Sequence, residues 1–265
     1  MNDSSWREHF EKNKAKWNTW TPIHATSKSY DVEAFKAGKC TIFHVEKDEV
    51  GDVRGKKLLH LQCHFGMDTL SWARLGADVV GVDFADESIK LAGRLAAELQ
   101  LPARFVCCNV YDLPDHLHEK FDIVFTSSGV LCWLPDLRKW AETVAHFVKP
   151  GGFFYIHEFH FAAAAAASEG EDYFSFGQPT FYEGSGTYAE PDHPAVTQGV
   201  EWRHTLGDIV TALIQAGLRL EYFHEWPHSV CPFTSDMKQG PDGGWYDGER
   251  PNRFPLMFSL RAWKD

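Results

Sequence analysis

The 265-residue chain contains no run of about 18 apolar residues, the length a helix needs to cross a bilayer core. It does not open with a basic flank followed by an apolar stretch: residues 1–6 read MNDSSW. Neither export nor membrane spanning is expected, and the location expected is cytoplasmic. Positive charge is also short. With 26 Lys and Arg against 37 Asp and Glu the formal net charge is −11, and Lys12, Lys14 and Lys16 lie among acids and aromatics rather than in a patch. Nucleic acid and anionic membrane surfaces are therefore disfavoured as partners, because both would be repelled over the Debye length. The six cysteines (Cys40, Cys63, Cys107, Cys108, Cys132, Cys231) show neither Cys-x-x-Cys nor zinc spacing, which suits reduced, mostly buried thiols.

What is abundant is aromatic surface. Phe, Trp and Tyr make up 14% of the chain, with 10 Trp, and they gather at the N-terminus and after Phe159. The length fits one α/β domain with insertions. Trp6, Phe10 and Trp17 share a helical face over residues 3–20, and Pro22 is expected to stop that helix. A second helix is read from Asp31 as N-cap to Gly38, so residues 1–54 form a helical cap. From 55 to 265 the rhythm is that of a doubly wound sheet. Strands are expected at 57–62, 78–83, 103–108, 121–127, 153–159, 218–225 and 256–262, with helices between them. Two stretches break the rhythm, at about 160–203 and 226–254, and are read as lid insertions. The first holds the low-complexity run Ala162–Ala167 and a segment, Tyr173–Pro194, expected to be a long structured loop.

The first strand, Leu58-Leu-His-Leu-Gln62, runs into a turn ending at Gly66, and a second strand ends in Asp83. A strand, a turn, a helix and an acid about 20 residues on suit an adenosine cofactor, because the carboxylate can accept from both ribose hydroxyls. A dinucleotide fold needs three glycines to admit a pyrophosphate, but those places hold Gln62, His64 and Met67. A cofactor without phosphate needs chiefly one close approach, at Gly66.

From Gly55 to Phe159 the chain resembles class I S-adenosylmethionine-dependent methyltransferases. The likeness rests on the turn Leu58–Gly66, on Gly81-Val-Asp-Phe84, on Asn109-Val-Tyr111, on Phe121-Asp-Ile-Val-Phe-Thr126 and on Lys149-Pro-Gly-Gly152. It is similar in particular to a bacterial subset in which Leu-Gln-Cys-His-Phe-Gly replaces the glycine-rich first motif. The resemblance implies a mostly parallel, seven-stranded Rossmann-like sheet with an antiparallel last strand, and S-adenosylmethionine as cofactor. It departs where such enzymes usually have an acid at 60 and glycines at 62 and 64. The cofactor residues implied are Gln62, His64, Gly66, Asp83, Phe84, Asn109, Val110 and Tyr111, with Asn109 standing where an acid usually meets the adenine amine.

Ligands of open α/β sheets lie outside the C-terminal strand ends. That adds Ser127 and Ser128 beside the cofactor and Trp133 beside the substrate. The aromatic surplus would close over the site: Trp6, Trp17, Trp20 and Tyr30 from the cap, and Tyr173, Phe176, Phe181, Tyr182, Tyr188 and Trp202 from the insertion. Trp20 and Tyr30 are assigned to the cofactor, and Tyr173, Tyr182 and Trp202 to the substrate. Alternation along the fifth strand sends Glu158 and His160 to one side, either to orient a nucleophile and take its proton or to hydrogen-bond the capping loops. His157, His160 and His24 lack ligand spacing, so no metal is expected. The activity expected is methyl transfer to an N, O or C nucleophile of a small molecule. The alternatives are a non-methyl outcome, by cyclisation or aminocarboxypropyl transfer, and a non-catalytic cofactor-binding module.

Overall fold

A computed structural model describes residues 3–163, 173–174 and 177–265. The expectations for Ala164–Ala167 and for Phe176 lie outside the described residues. Seven strands form the main sheet: β1 (Lys57–Leu61), β2 (Asp78–Asp83), β3 (Ala103–Cys107), β4 (Phe121–Thr126), β5 (Val148–Phe159), β8 (Arg219–Trp226) and β11 (Met257–Trp263). Their spatial order is β3-β2-β1-β4-β5-β11-β8. β3, β2, β1, β4 and β5 are joined by parallel ladders, and β11 runs antiparallel to both β5 and β8. This is the expected sheet, reversed last strand included. The switch in strand order falls at β1 and β4, and a ligand crevice opens beyond their C-terminal ends.

Both faces of the sheet are covered, as the near-continuous apolar runs of its parallel strands require. On one face Leu59, Leu61, Val82, Phe154 and Ile156 pack under Trp140, Val144 and Phe147 of α7 (Leu137–Phe147) and Ile209 and Leu213 of α8 (Leu206–Gln215). On the other, Leu58, Val79, Ile123, Phe125 and Tyr155 pack under Trp72 of α4 (Met67–Arg74) and Val50 of α3 (His44–Val50). A third cluster joins Phe35 of α2 (Val32–Lys36) to Met67 and Leu70 of α4 and to Leu95 of α5 (Asp86–Glu98). A short helix, α6 (Leu113–His116), follows β3.

Three local expectations are corrected. The N-terminal helix, α1 (Asp3–Thr26), passes through Pro22. Proline removes one N–H near the last turn, a small loss where Trp20, Thr21, Ile23 and His24 are all buried by tertiary contact. Helix α3 was not expected: its sequence, HVEKDEV, has no apolar stripe, and Glu46 folds back to accept from Phe43 N at 3.0 Å. The first insertion is a hairpin rather than a loop, with β6 (Pro179–Ser185) antiparallel to β7 (Val196–Trp202). The second insertion carries a two-stranded ribbon, β9 (Lys238–Gln239) with β10 (Trp245–Tyr246).

Helix α1 is bolted down at both ends of the crevice. Asn13, fully buried, donates from Nδ2 to Val200 O at 2.8 Å and accepts from Val200 N at 2.9 Å. Further along, Asn18 Oδ1 accepts from Glu87 N at 3.0 Å, capping α5, whose own N-cap residue Ala85 has no side-chain acceptor. Thr21 Oγ1 meets Ser88 Oγ at 2.7 Å, and Lys14 pairs with Asp86 at 2.9 Å. Asn13→Ala would leave both buried groups of Val200 unpaired, and urea unfolding should show a loss of about 2–4 kcal/mol. A loss under about 0.5 kcal/mol would mean that the helix is held by its aromatics alone.

Candidate active site

The turn after β1 keeps a glycine-rich backbone without the glycines. Gln62, His64 and Gly66 adopt φ of 56°, 50° and 79°. For Gln62 and His64 a left-handed backbone costs roughly 1–2 kcal/mol each, so something must hold it. Asp83 does: its Oδ2 accepts from His64 N at 2.8 Å and its Oδ1 from Ala85 N at 2.9 Å. Packing by itself requires a glycine at position 66. A Cβ there would lie 2.8 Å from the Phe105 ring and 3.0 Å from Ala92 Cβ, so the glycine makes room for β3 and α5.

Asp83 is buried, and desolvation pushes its carboxyl up to about 6 against the pull of its backbone donors. Its proton therefore favours the folded state below the unfolded value of 3.8, and that contribution is lost as pH rises through about 6.

His64 fills the crevice beside the turn. Its Nδ1 meets Ser88 Oγ and its Nε2 meets His24 Nδ1, both at 3.0 Å. Burial pushes His24 down to about 4 and His64 well below its ordinary value, so both rings are neutral near pH 7. Around them stand Trp17 (4.9 Å from His64), Tyr30 (5.1 Å from His24, stacked) and Tyr188 (4.7 Å from His24). Trp20 lies 5.7 Å from Tyr188, and Trp133 lies 5.4 Å from Trp17. The Tyr30 and Tyr188 hydroxyls are hydrogen-bonded to each other. Tyr188 keeps 58% of its surface accessible, yet desolvation holds its phenol above the ordinary range.

Several expected residues thus meet: Trp20, Tyr30, Gln62, His64, Asp83 and Trp133 share one region. Ser127 Oγ binds His60 Nε2 at 3.1 Å, and Ser128 Oγ donates to His157 O at 3.1 Å. Asn109 Oδ1 accepts from Tyr111 N at 3.1 Å, which leaves its amide N–H groups as donors. Phe84 is half-buried beside Asp83, and Val110 is buried in the core. The Tyr111 hydroxyl both donates to Asp136 O and accepts from Asp136 N, so it secures the start of α7. Tyr182 donates to Glu201 at 2.8 Å, and its ring lies 4.4 Å from the Lys16 ammonium.

Other expected residues are placed elsewhere. Tyr173 accepts from Leu206 N at 3.0 Å, at the start of α8. Trp202 is fully buried, 5.7 Å from His9. Glu158 and His160 bind different partners, and for Glu158 these are loop groups, as in the second of the two roles considered for the pair. Glu158 accepts from the backbone of Gly129, Val130, Leu131 and Phe159, and so staples the loop after β4. With four donors on it, the carboxylate has little capacity left for a substrate proton. His160 is tied to Glu225 of β8 at 3.1 Å. His24 pairs with His64, and His157 with Glu46, so these imidazoles diverge. Among the described residues no group of three or more His, Cys, Asp or Glu side chains is arranged to hold a metal ion. No helix among them is long and apolar enough to cross a membrane.

Some residues gave little signal in the sequence. Lys16 is buried, with its ammonium 3.8 Å over the Trp20 ring, and desolvation lowers it to about 8. On a helix read for its aromatic stripe it passes for a solvated lysine.

Residues 59–156 match the family described as "Methyltransferase domain". Two curated relatives are named ubiquinone biosynthesis O-methyltransferase. That of Chromobacterium violaceum is 33% identical over 41% of this chain and 47% of its own length. That of Photorhabdus laumondii is 34% identical over 40% and 44%. The chain thus spans about half the length of the curated relatives it matches. A solved S-adenosylmethionine-dependent methyltransferase from Clostridium acetobutylicum superposes with a TM-score of 0.60 at 15% identity, covering 94% of this chain and 98% of that one. The fold is the class I methyltransferase fold.

The two left-handed side chains should separate in their contribution to stability. Gln62→Gly relieves backbone strain but costs chain entropy and the bond from Gln62 Nε2 to Val130 O (3.1 Å), a net loss of about 1 kcal/mol. His64→Gly also loses ring packing and two hydrogen bonds, and should destabilise by at least about 2 kcal/mol in urea unfolding. Equal effects would show that the imidazole contributes nothing beyond filling the turn.

Proposed function

We propose that the protein is an S-adenosylmethionine-dependent methyltransferase that transfers the methyl group to an N, O or C nucleophile of a small molecule by in-line displacement. The observation that carries this reading is Asp83, a carboxylate at the end of β2 with one backbone donor on each oxygen and acceptor capacity to spare. The crevice also suits a polar ligand by its unpartnered atoms: Gln62 Oε1, Trp20 Nε1 and His24 Nε2 are buried without a hydrogen-bond partner among the described residues.

In this reading Asp83 accepts from the two ribose hydroxyls, Asn109 donates to the adenine ring, and Val110 and Phe84 supply apolar contact. The turn Gln62–Gly66, with Ser127 and Ser128, faces the methionine portion. When bound, the cofactor supplies a methyl group already activated on a sulfonium, so the protein's work is placement and exclusion of water. The neutral rings of His24 and His64 and the faces of Trp17, Trp20, Tyr30, Trp133 and Tyr188 do this without adding a positive charge beside the sulfonium. Tyr182 and Lys16 line the acceptor side. The acidic balance of the chain and its aromatic wall support a small acceptor.

Incubation with the cofactor and a metabolite extract should yield adenosylhomocysteine and a methylated product. Methylthioadenosine in its place would indicate transfer of the aminocarboxypropyl arm or cyclisation, and binding without turnover a non-catalytic module. Asp83 accepts from hydroxyls best when ionised. Calorimetric affinity for adenosylhomocysteine should therefore be flat above pH 7 and fall as pH drops through about 6. An affinity that rises on acidification would remove Asp83 from the ribose.

A further inference from the structure

A chain of hydrogen bonds runs from α1 through α5 to the turn after β1 and back to α1, and a carbonyl at one end sets the direction of every link. Thr21 Oγ1 donates its single proton to Trp17 O at 2.8 Å. In its 2.7 Å contact with Ser88 Oγ it can then only accept, so Ser88 donates. Ser88 has no second proton, and at 3.0 Å it therefore accepts from His64 Nδ1. His64 is neutral near pH 7, so its Nε2 is a lone pair and accepts from His24 Nδ1 at 3.0 Å. His24 is neutral too, with its one ring proton on Nδ1. Its Nε2 is a bare acceptor.

That acceptor is buried and unused. His24, Thr21 and Ser88 are all buried, and His24 Nε2 has no hydrogen-bond partner among the described residues. A buried acceptor left without a donor costs about 1–3 kcal/mol, which a ligand N–H or O–H would remove. The atom stands on the cap side of His64. His24 and its neighbours Trp20, Tyr30 and Tyr188 all fall outside residues 59–156, the stretch that matches the methyltransferase family, whereas Gly66 and Asp83 fall inside it. A cofactor common to a family is met by the part its members share, and the acceptor is met by what each member adds.

Resting on the methyltransferase reading above, we propose that His24 Nε2 accepts a hydrogen bond from the N–H or O–H of the methyl acceptor, and that Thr21, through Ser88 and His64, holds His24 in the tautomer able to do so. The acceptor is thereby narrowed to a compound whose nucleophile carries a proton: an amine, an alcohol or a phenol. A site built around a buried lone pair rejects an analogue that lacks the donor, because the lone pair is then left unpaired. His24 is a binding residue, and Thr21, Ser88 and His64 are positioning residues.

Nitrogen NMR of isotopically labelled imidazole rings reads the tautomers directly, with His24→Asn identifying the His24 signals. The wild type should show His24 protonated on Nδ1 and bare on Nε2. Thr21→Val frees Ser88 to donate to His64, and both rings should shift toward the Nε2–H tautomer. If that variant does not fold, Ser88→Ala removes the same constraint. Activity is read with S-adenosylmethionine and a metabolite extract. His24→Asn, whose amide can donate in place of Nδ1 but leaves nothing at Nε2, should lower methyl transfer roughly 10-fold, and Thr21→Val should lower it by less. Both should bind adenosylhomocysteine within about twofold of the wild type, which also reports that they are folded. An Nε2–H tautomer in the wild type, tautomers unmoved by the relay variant, or full transfer by His24→Asn would overturn the proposal. A matching loss of adenosylhomocysteine affinity would overturn it too, by giving the donor to the cofactor. A wild type that neither binds adenosylhomocysteine nor methylates anything in the extract would overturn the methyltransferase reading and this proposal with it.

Discussion

A single buried carboxylate at the end of β2 holds the turn on which the site is built. Gln62 and His64 sit in a backbone region that side chains avoid, and no intrinsic preference keeps them there. Asp83 grips His64 N from across the strand gap and steadies Ala85 with its other oxygen. The grip fixes where the imidazole of His64 points. The ring in turn gives His24, Trp17 and Tyr30 a surface to pack against, so the aromatic wall depends on a hydrogen bond made by the sheet.

The N-terminal helix is part of that wall rather than an appendage. Asn18 supplies the cap that α5 does not provide for itself, and Thr21 and Lys14 fasten the same helix end to Ser88 and Asp86. Movement of α1 would therefore uncap α5 and expose the indoles together. Access to the crevice and the order of α5 are coupled through one side-chain amide.

The alternation of apolar runs with Gly and Pro stops made the seven strands legible, because parallel strands buried on both faces leave a strong local mark. The Asp83 position was legible for the same reason: it ends a strand. Pro22 misled, because a local rule about helix stops lost to the burial of Trp20 and His24 around it. The hairpin over 179–202 was hidden because β6 has no buried residue and holds Pro179 and Gly184, so β7, buried at Thr197, Gly199, Val200 and Trp202, had no legible partner strand. Glu158 was legible as a residue near the strand ends but not as a staple, since the four backbone donors that claim it belong to a loop whose path is set by tertiary contact.

The Asn13 amide has one more consequence. The pair β6–β7 is a two-stranded sheet, and the outer edge of β7 presents the N–H and C=O of Val200 away from its partner strand. Such an edge is a template on which another chain can add a strand. By offering one acceptor and one donor in the spacing of a peptide group, Asn13 ends the sheet there with a helix. The residue that seats the cap is also a guard against edge-to-edge self-association.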